Sequence, residues 1–297
     1  MRRFEDIVTL LYRIPSSLND ILNEKFLDEL IKAVKELEPG FPQIKLLSMI
    51  RKRADFKRKL EIRRLLLQKI MYLSHKIAQG ASGITKTVVT EYRPGMDEID
   101  VGRTVEEQLG RPTLNYENIY CSERRKQKAS YVLMLDVSNS MHLEKIAIAT
   151  IATGVFASKL RNDFHAVLTF SREANIIKHI YEPNNLKHLL NKMLYIESGG
   201  ATNIRETLLE GLELLNESKT HFKTGIIVTD GWATVGGDPV EIASKYDKLH
   251  VLGISFGLGG YDPATNSLMA QRGRGRYVYI KKFDDLPIAI TKILAGK

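Results

Sequence analysis

Tyr131-Val132-Leu133-Met134-Leu135-Asp136-Val137-Ser138-Asn139-Ser140 is the stretch whose reading decides the fold. Its five leading apolar residues leave no polar side for water, which predicts a strand buried on both faces. The run stops at an acid, two serines follow at alternate positions, and an apolar helical stretch over 143–160 comes next. A second run of the same kind, Gly225-Ile226-Ile227-Val228-Thr229, stops at Asp230 and turns through Gly231. A third buried strand is expected over 249–256. Shorter strands are expected over 165–170, 175–180 and 277–280. Helices are expected over 186–194, 204–215, 242–246 and 286–294. Buried strands alternating with helices predict an α/β, Rossmann-like domain over 129–297, with a mostly parallel sheet and helices on both faces.

In such open sheets, ligands bind beyond the carboxyl ends of the strands. Asp136 and Asp230 both stand there. The turn Asp136-x-Ser138-x-Ser140 can aim one carboxylate and two hydroxyls at a single point, and the loop Gly199-Gly200-Ala201-Thr202-Asn203 brings a third hydroxyl, Thr202. Two carboxylates and three hydroxyls are hard oxygen donors, suited to Mg²⁺, Mn²⁺ or Ca²⁺ and not to a soft metal. A Mg²⁺ site of this type keeps an open position, which an acidic side chain of another protein can fill. The plainer reading is that Asp136 and the serines cap the following helix. Capping accounts for the first motif and leaves Thr202 and Asp230 without a role.

These five residues, in this order, resemble the metal-ion-dependent adhesion site of the von Willebrand factor A (VWA) family. The resemblance spans about residues 129–297. It implies the VWA fold, a Mg²⁺-class ion at Asp136, Ser138, Ser140, Thr202 and Asp230, and a role in protein–protein interaction. Asn139 stands where many members have Gly, a position that shapes the loop without contributing a ligand. Tyr92-Arg93-Pro94-Gly95, Asp97-Glu98-Ile99-Asp100-Val101 and Thr104-Val105-Glu106 resemble the segment preceding the VWA domain in CoxE-like and magnesium-chelatase-associated proteins. That likeness implies a MoxR-type AAA+ ATPase as partner, and protein remodelling or metallocofactor maturation as the outcome.

Upstream, apolar residues recurring at one, three and four positions from Ile21 to Leu37 predict a helix, with Ser17 as its cap and Pro39-Gly40 as its end. A longer helical stretch is expected over 44–78. Residues 1–79 thus read as a helical N-terminal domain. Residues 80–128 read as a connecting arm, with a short strand near 85–92 and a helical turn within 98–109.

Composition narrows the function classes. The 297 residues carry 44 Lys and Arg against 35 Asp and Glu, a net charge of +9. The surplus gathers between Lys45 and Lys76, where only Asp55 and Glu61 oppose it. The basic stretch 51–64 fits a solvated helix face, an acidic protein surface or, as the rival function, RNA; sparse aromatics argue against base stacking. The single cysteine, Cys121, excludes an intramolecular disulfide and suits a reducing cytoplasm. No apolar run approaches the length of a membrane helix. The chain has no P-loop and no G-x-S-x-G elbow. Ser138 stands where a haloacid-dehalogenase-like phosphatase needs its second Asp, and His142 is poorly placed as a base for the serines. The chain therefore reads as an adaptor and not as an enzyme.

Overall fold

The computed structural model describes residues 24–51, 54–79, 86–96, 98–109, 119–125, 128–141, 144–255 and 261–294. Described residues within 1–81 and 129–297 form one compact unit, and those within 82–128 form a second. The first unit opens with helices α1 (Glu24–Glu36), α2 (Phe41–Arg51) and α3 (Phe56–Ala78). The expected Ser17 cap lies outside the described residues. The single helical stretch expected over 44–78 is two helices, because Asp55 accepts a hydrogen bond from the backbone N–H of Arg58 and starts α3 afresh.

Among its described residues the second unit holds two strands and one helix, β1 (Lys86–Glu91), α4 (Val101–Gln108) and β2 (Tyr120–Arg125). The strands pair antiparallel, Lys86 opposite Arg125 and Glu91 opposite Tyr120. The strand β2 was not expected, since Tyr-Cys-Ser-Glu-Arg-Arg has no apolar alternation. Thr104 ties α4 to it: the Tyr120 N–H donates to Thr104 Oγ1 at 2.9 Å.

The remaining elements are β3 (Ser130–Asp136), α5 (Glu144–Lys159), β4 (Phe164–Phe170), β5 (Ala174–Lys178), α6 (Leu186–Met193), α7 (Ile204–Glu217), β6 (Lys223–Thr229), α8 (Pro239–Ala243), β7 (Leu249–Ile254), α9 (Pro263–Arg272), β8 (Tyr277–Ile280) and α10 (Leu286–Leu294). Six strands form one sheet in the order β5-β4-β3-β6-β7-β8. Every neighbouring pair is parallel except β4–β5. The α/β expectation and the mostly parallel sheet are met. The helix α9 was missed, although Asp262 caps it, Pro263 opens it and Gly273 closes it. Asp238 and Pro239 likewise start α8 three residues before the expected 242–246.

Alternation in β3 builds two cores. Tyr131, Leu133 and Leu135 pack on one face with α5, α6 and α10, while Val132 and Met134 pack on the other with α7, α8 and α9. The helices expected as a separate N-terminal domain share the first of these cores: Ile62, Leu66, Ile70 and Leu73 of α3 belong to the same cluster as Ile148, Ile151 and Val155 of α5. The sequence of α5 explains this. Ile146 to Ala157 is apolar nearly all round, and such a helix needs cover on both sides. The sheet supplies one side and α3 the other.

The α3–α5 approach is close enough to require Gly154. A Cβ there would lie 2.1 Å from Ser74 Oγ and 2.9 Å from Ser74 Cβ. Gly154→Ala gains about 1 kcal/mol of helix propensity and meets an overpacking cost of about 1–3 kcal/mol. At contacts this short the cost wins. The expected result is a net loss of up to about 2 kcal/mol in urea unfolding followed by Trp232 fluorescence, partly recovered by Ser74→Ala. An unchanged midpoint would contradict this helix pairing.

Candidate metal centre at the strand ends

The strands β3 and β6 are adjacent and parallel, so their carboxyl ends place Asp136 and Asp230 side by side. Both are fully buried. The Ser138 N–H donates to Asp136 Oδ1 at 2.9 Å, and the Thr229 hydroxyl donates to Asp136 Oδ2 at 2.6 Å. The Ser138 and Ser140 hydroxyls lie 3.1 Å apart. The sequence motif thus folds into a turn whose carboxylate and first hydroxyls converge.

The Thr202 loop is fastened to this turn through its backbone. The Gly199 N–H donates to Val137 O at 2.9 Å, and the Asn139 N–H donates to Gly200 O at 3.2 Å. On its other side, Thr202 O accepts from the N–H of Thr234 at 3.0 Å, and the Thr202 N–H donates to Thr234 Oγ1 at 2.8 Å. Thr202, itself buried, therefore sits between the loop after β3 and the loop after β6. Gly231 makes the second of these loops possible. Its φ of +83° is left-handed, and a Cβ would lie 2.6 Å from both Asn266 Nδ2 and Asp262 O.

Two participants escaped the sequence reading. Lys145 Nζ donates to Asp230 Oδ2 at 3.0 Å, with both side chains almost wholly buried. The signal for it was a lysine on an otherwise apolar helix. Thr229, which reads as the last β-branched residue of a strand, holds Asp136 and accepts from the N–H of Gly231 at 3.0 Å. His142 lies outside the described residues.

The electrostatics are uneven. Desolvation pushes the Asp136 carboxyl up to about 6; the bonds from Ser138 and Thr229 oppose that rise, and the neighbouring Asp230 charge adds to it. Lys145 neutralises Asp230, while Asp136 has only neutral donors. Among the described residues no group of three or more His, Cys, Asp and Glu gathers at one point. The donor set is two carboxylates with flanking hydroxyls. That fits a hard divalent cation, which would supply the positive charge that Asp136 lacks.

The basic stretch 51–64 is less open than its sequence suggests. Arg58 binds Asp28 at 2.7 and 3.0 Å and Asp55 at 2.9 Å. Arg51 donates to Leu194 O at 2.5 Å, and Arg63 lies 3.6 Å over the Tyr195 ring centre. Lys52 and Arg53 lie outside the described residues. The Arg272–Arg276 loop is also engaged: Arg274 donates to the carbonyls of Asp247 and Tyr246, and Arg276 to that of Lys292.

Replacing Asp136 by Asn tests the burial cost. In the metal-free protein at pH 7.5, Asp136→Asn is expected to be more stable than the wild type by about 1–3 kcal/mol. Burial pushes the folded-state carboxyl up to about 6, above its ordinary 3.8. Between these values the native state binds more protons than the unfolded state, so the wild type gains stability as pH falls from about 7 toward 4. The advantage of the Asn variant should shrink over that window. Denaturation in EDTA across pH 4–8 reads this directly, and a variant less stable than the wild type at pH 7.5 would contradict it.

Residues 131–232 match the family model for the von Willebrand factor type A domain. The chain is 28% identical over 170 residues, half of its length, to inter-alpha-trypsin inhibitor heavy chain H3 of Bos taurus, and covers 19% of that protein. Among solved structures it is similar to the von Willebrand factor type A protein of Catenulispora acidiphila, at 17% identity and a TM-score of 0.49. That match covers 59% of this chain and 43% of the other. It is also similar to manganese-loaded Plasmodium vivax TRAP protein, at 18% identity and a TM-score of 0.45, covering 56% and 73%. Among the described residues, no helix is long and apolar enough to cross a membrane. With a mostly parallel sheet between two helical layers and the family match beginning in its central strand, the C-terminal part of the chain has the fold of a VWA domain.

Proposed function

We propose that this protein is a divalent-cation-dependent interaction adaptor that captures a carboxylate on another protein. The observation that carries the reading is the pair of fully buried carboxylates at adjacent strand ends, one neutralised by Lys145 and the other without a cation. Asp136, Ser138, Ser140, Thr202 and Asp230 would hold the ion, of Mg²⁺, Mn²⁺ or Ca²⁺ type. When bound, the ion supplies a positive centre that attracts an acidic side chain at its open position. Asp136 contributes the uncompensated charge. Ser138 and Thr229 orient it, and the Lys145 ammonium balances the charge of Asp230 when no metal ion is present. Trp232 stands two residues after Asp230, its backbone N–H donating to Asp230 Oδ1 at 3.2 Å, with half of its surface exposed. It offers an aromatic contact beside the incoming carboxylate.

In this reading the chain is not a catalyst and acts in the cytoplasm. Its partner is an AAA+ ATPase of the MoxR type, and the outcome is remodelling or metallocofactor maturation of a client protein. Support for that partner comes from the likeness of residues 92–106 to the segment before CoxE-like VWA domains. The RNA-binding alternative draws on the basic helices, where Arg58 is paired with Asp28 and Asp55.

Calorimetry with Mn²⁺ is expected to give one site in the wild type. Asp136→Ala should weaken it about 10-fold or more, since hard-ion affinity follows ligand charge. Capture of the ATPase partner should need Mg²⁺, vanish in EDTA and fall in the same variant. Equal Mn²⁺ binding by both proteins would overturn the site. Intact metal binding with metal-independent capture would overturn only the adaptor mechanism.

A further inference from the structure

A cavity of about 490 Å³ opens beside the helices that cover α5. Its walls come from α2, α3, the start of α5 and the segment from Met193 to Ser198. Three cations line it, Arg51, Lys59 and Arg63, against one carboxylate, Glu197. Its volume lies within the range of small-molecule sites.

The two guanidinium groups are held in place. Arg51 is anchored through Nη1 on Leu194 O. Burial lowers its pKa, the like charge of Arg63 lowers it further, and Glu197 opposes both. The Arg63 guanidinium lies over the Tyr195 ring, 3.6 Å from its centre, a contact that restrains it. Its Nε is shielded from solvent and has no hydrogen-bond partner among the described residues. A shielded cationic donor without an acceptor is costly. The cavity's hydroxyls do not relieve it: neither Ser48 nor Thr150, each donating to a carbonyl of its own helix, accepts from Arg63 Nε among the described residues.

An anion would complete this arrangement. Three cations around one cavity favour an anion of more than one charge, and the planar arginine fork matches phosphate oxygens. The cavity is much larger than a phosphate group, and Ile70, Ile146, Ala147 and Met193 give it an apolar wall. We infer that the cavity is a binding site for a small organic phosphomonoester, with Arg51 and Arg63 on the phosphate and the apolar wall on the organic part. The site is separate from the strand-end carboxylates and does not depend on a metal there.

Phenyl phosphate and inorganic phosphate serve as probes, with calorimetry on the full chain. Phenyl phosphate should bind saturably and more tightly than inorganic phosphate. Arg63→Gln and Arg51→Gln should each weaken it about 10-fold or more, the usual weight of a charge-assisted hydrogen bond. Arg63→Lys should fall between, keeping the charge and losing the fork. Arg64→Gln, one position along the same helix and outside the cavity, should bind as the wild type does. Thermal unfolding establishes that each variant is folded. Should Arg51→Gln not fold, the Arg63 pair decides. No saturation at millimolar probe, equal affinity in Arg63→Gln, or an equal loss in Arg64→Gln would each overturn the inference. So would an acidic peptide binding the cavity while phenyl phosphate does not.

Discussion

Burial of an ionised carboxylate at the end of a central strand is the constraint around which this molecule is arranged. Asp136 ends β3 with no exposed surface, and its nearest charged neighbour of note is a second buried acid, Asp230. Hydrogen bonds from Ser138 and Thr229 lower the cost of ionising it without removing it, and the carboxyl still sits near 6. Lys145 answers the other half of the problem by pairing with Asp230 at 3.0 Å. A buried pair of this kind is weak support for stability, because desolvation offsets much of the attraction. Its effect is to leave Asp136 as the one of the two buried acids without a charged partner among the described residues.

The scaffold follows from that demand. Parallel pairing of β3 with β6 sets both acids at one end of the sheet, and the loops after them are stitched together through Thr202 and Thr234. The helix that carries Lys145 is buried on both sides, between the sheet and α3. The N-terminal helices therefore clamp the element that places the site's cation. The same clamp leaves the cavity lined by Arg51 and Arg63.

Much of this was legible in the chain. Apolar strands ending in acids are visible because strand ends, turn residues and ligand types coincide within a few positions. The strand-end places of Asp136 and Asp230 were readable for that reason, as was the turn that brings the Ser138 and Ser140 hydroxyls together. Lys145 was not, because a lysine in a first helical turn ordinarily reads as solvated, and only the partner 85 residues away makes it internal. Thr229 was hidden by its strand propensity. The cover of α5 by α3 could be read from the all-round apolar surface of residues 146–157, but not which helix would supply it. Arg58 read as part of a free basic face because its partner Asp28 lies 30 residues away. The strand β2 had no periodic signal at all.

The central claim is that the strand-end carboxylates take one hard cation. Anomalous diffraction from crystals soaked in Mn²⁺ tests it most directly. The account predicts a single strong peak at about 2.0–2.4 Å from oxygens of the Asp136–Ser140 turn, with Asp230 turned toward it and its bond to Lys145 lengthened. A peak confined to surface carboxylates, with the Lys145–Asp230 pair unchanged, would contradict it.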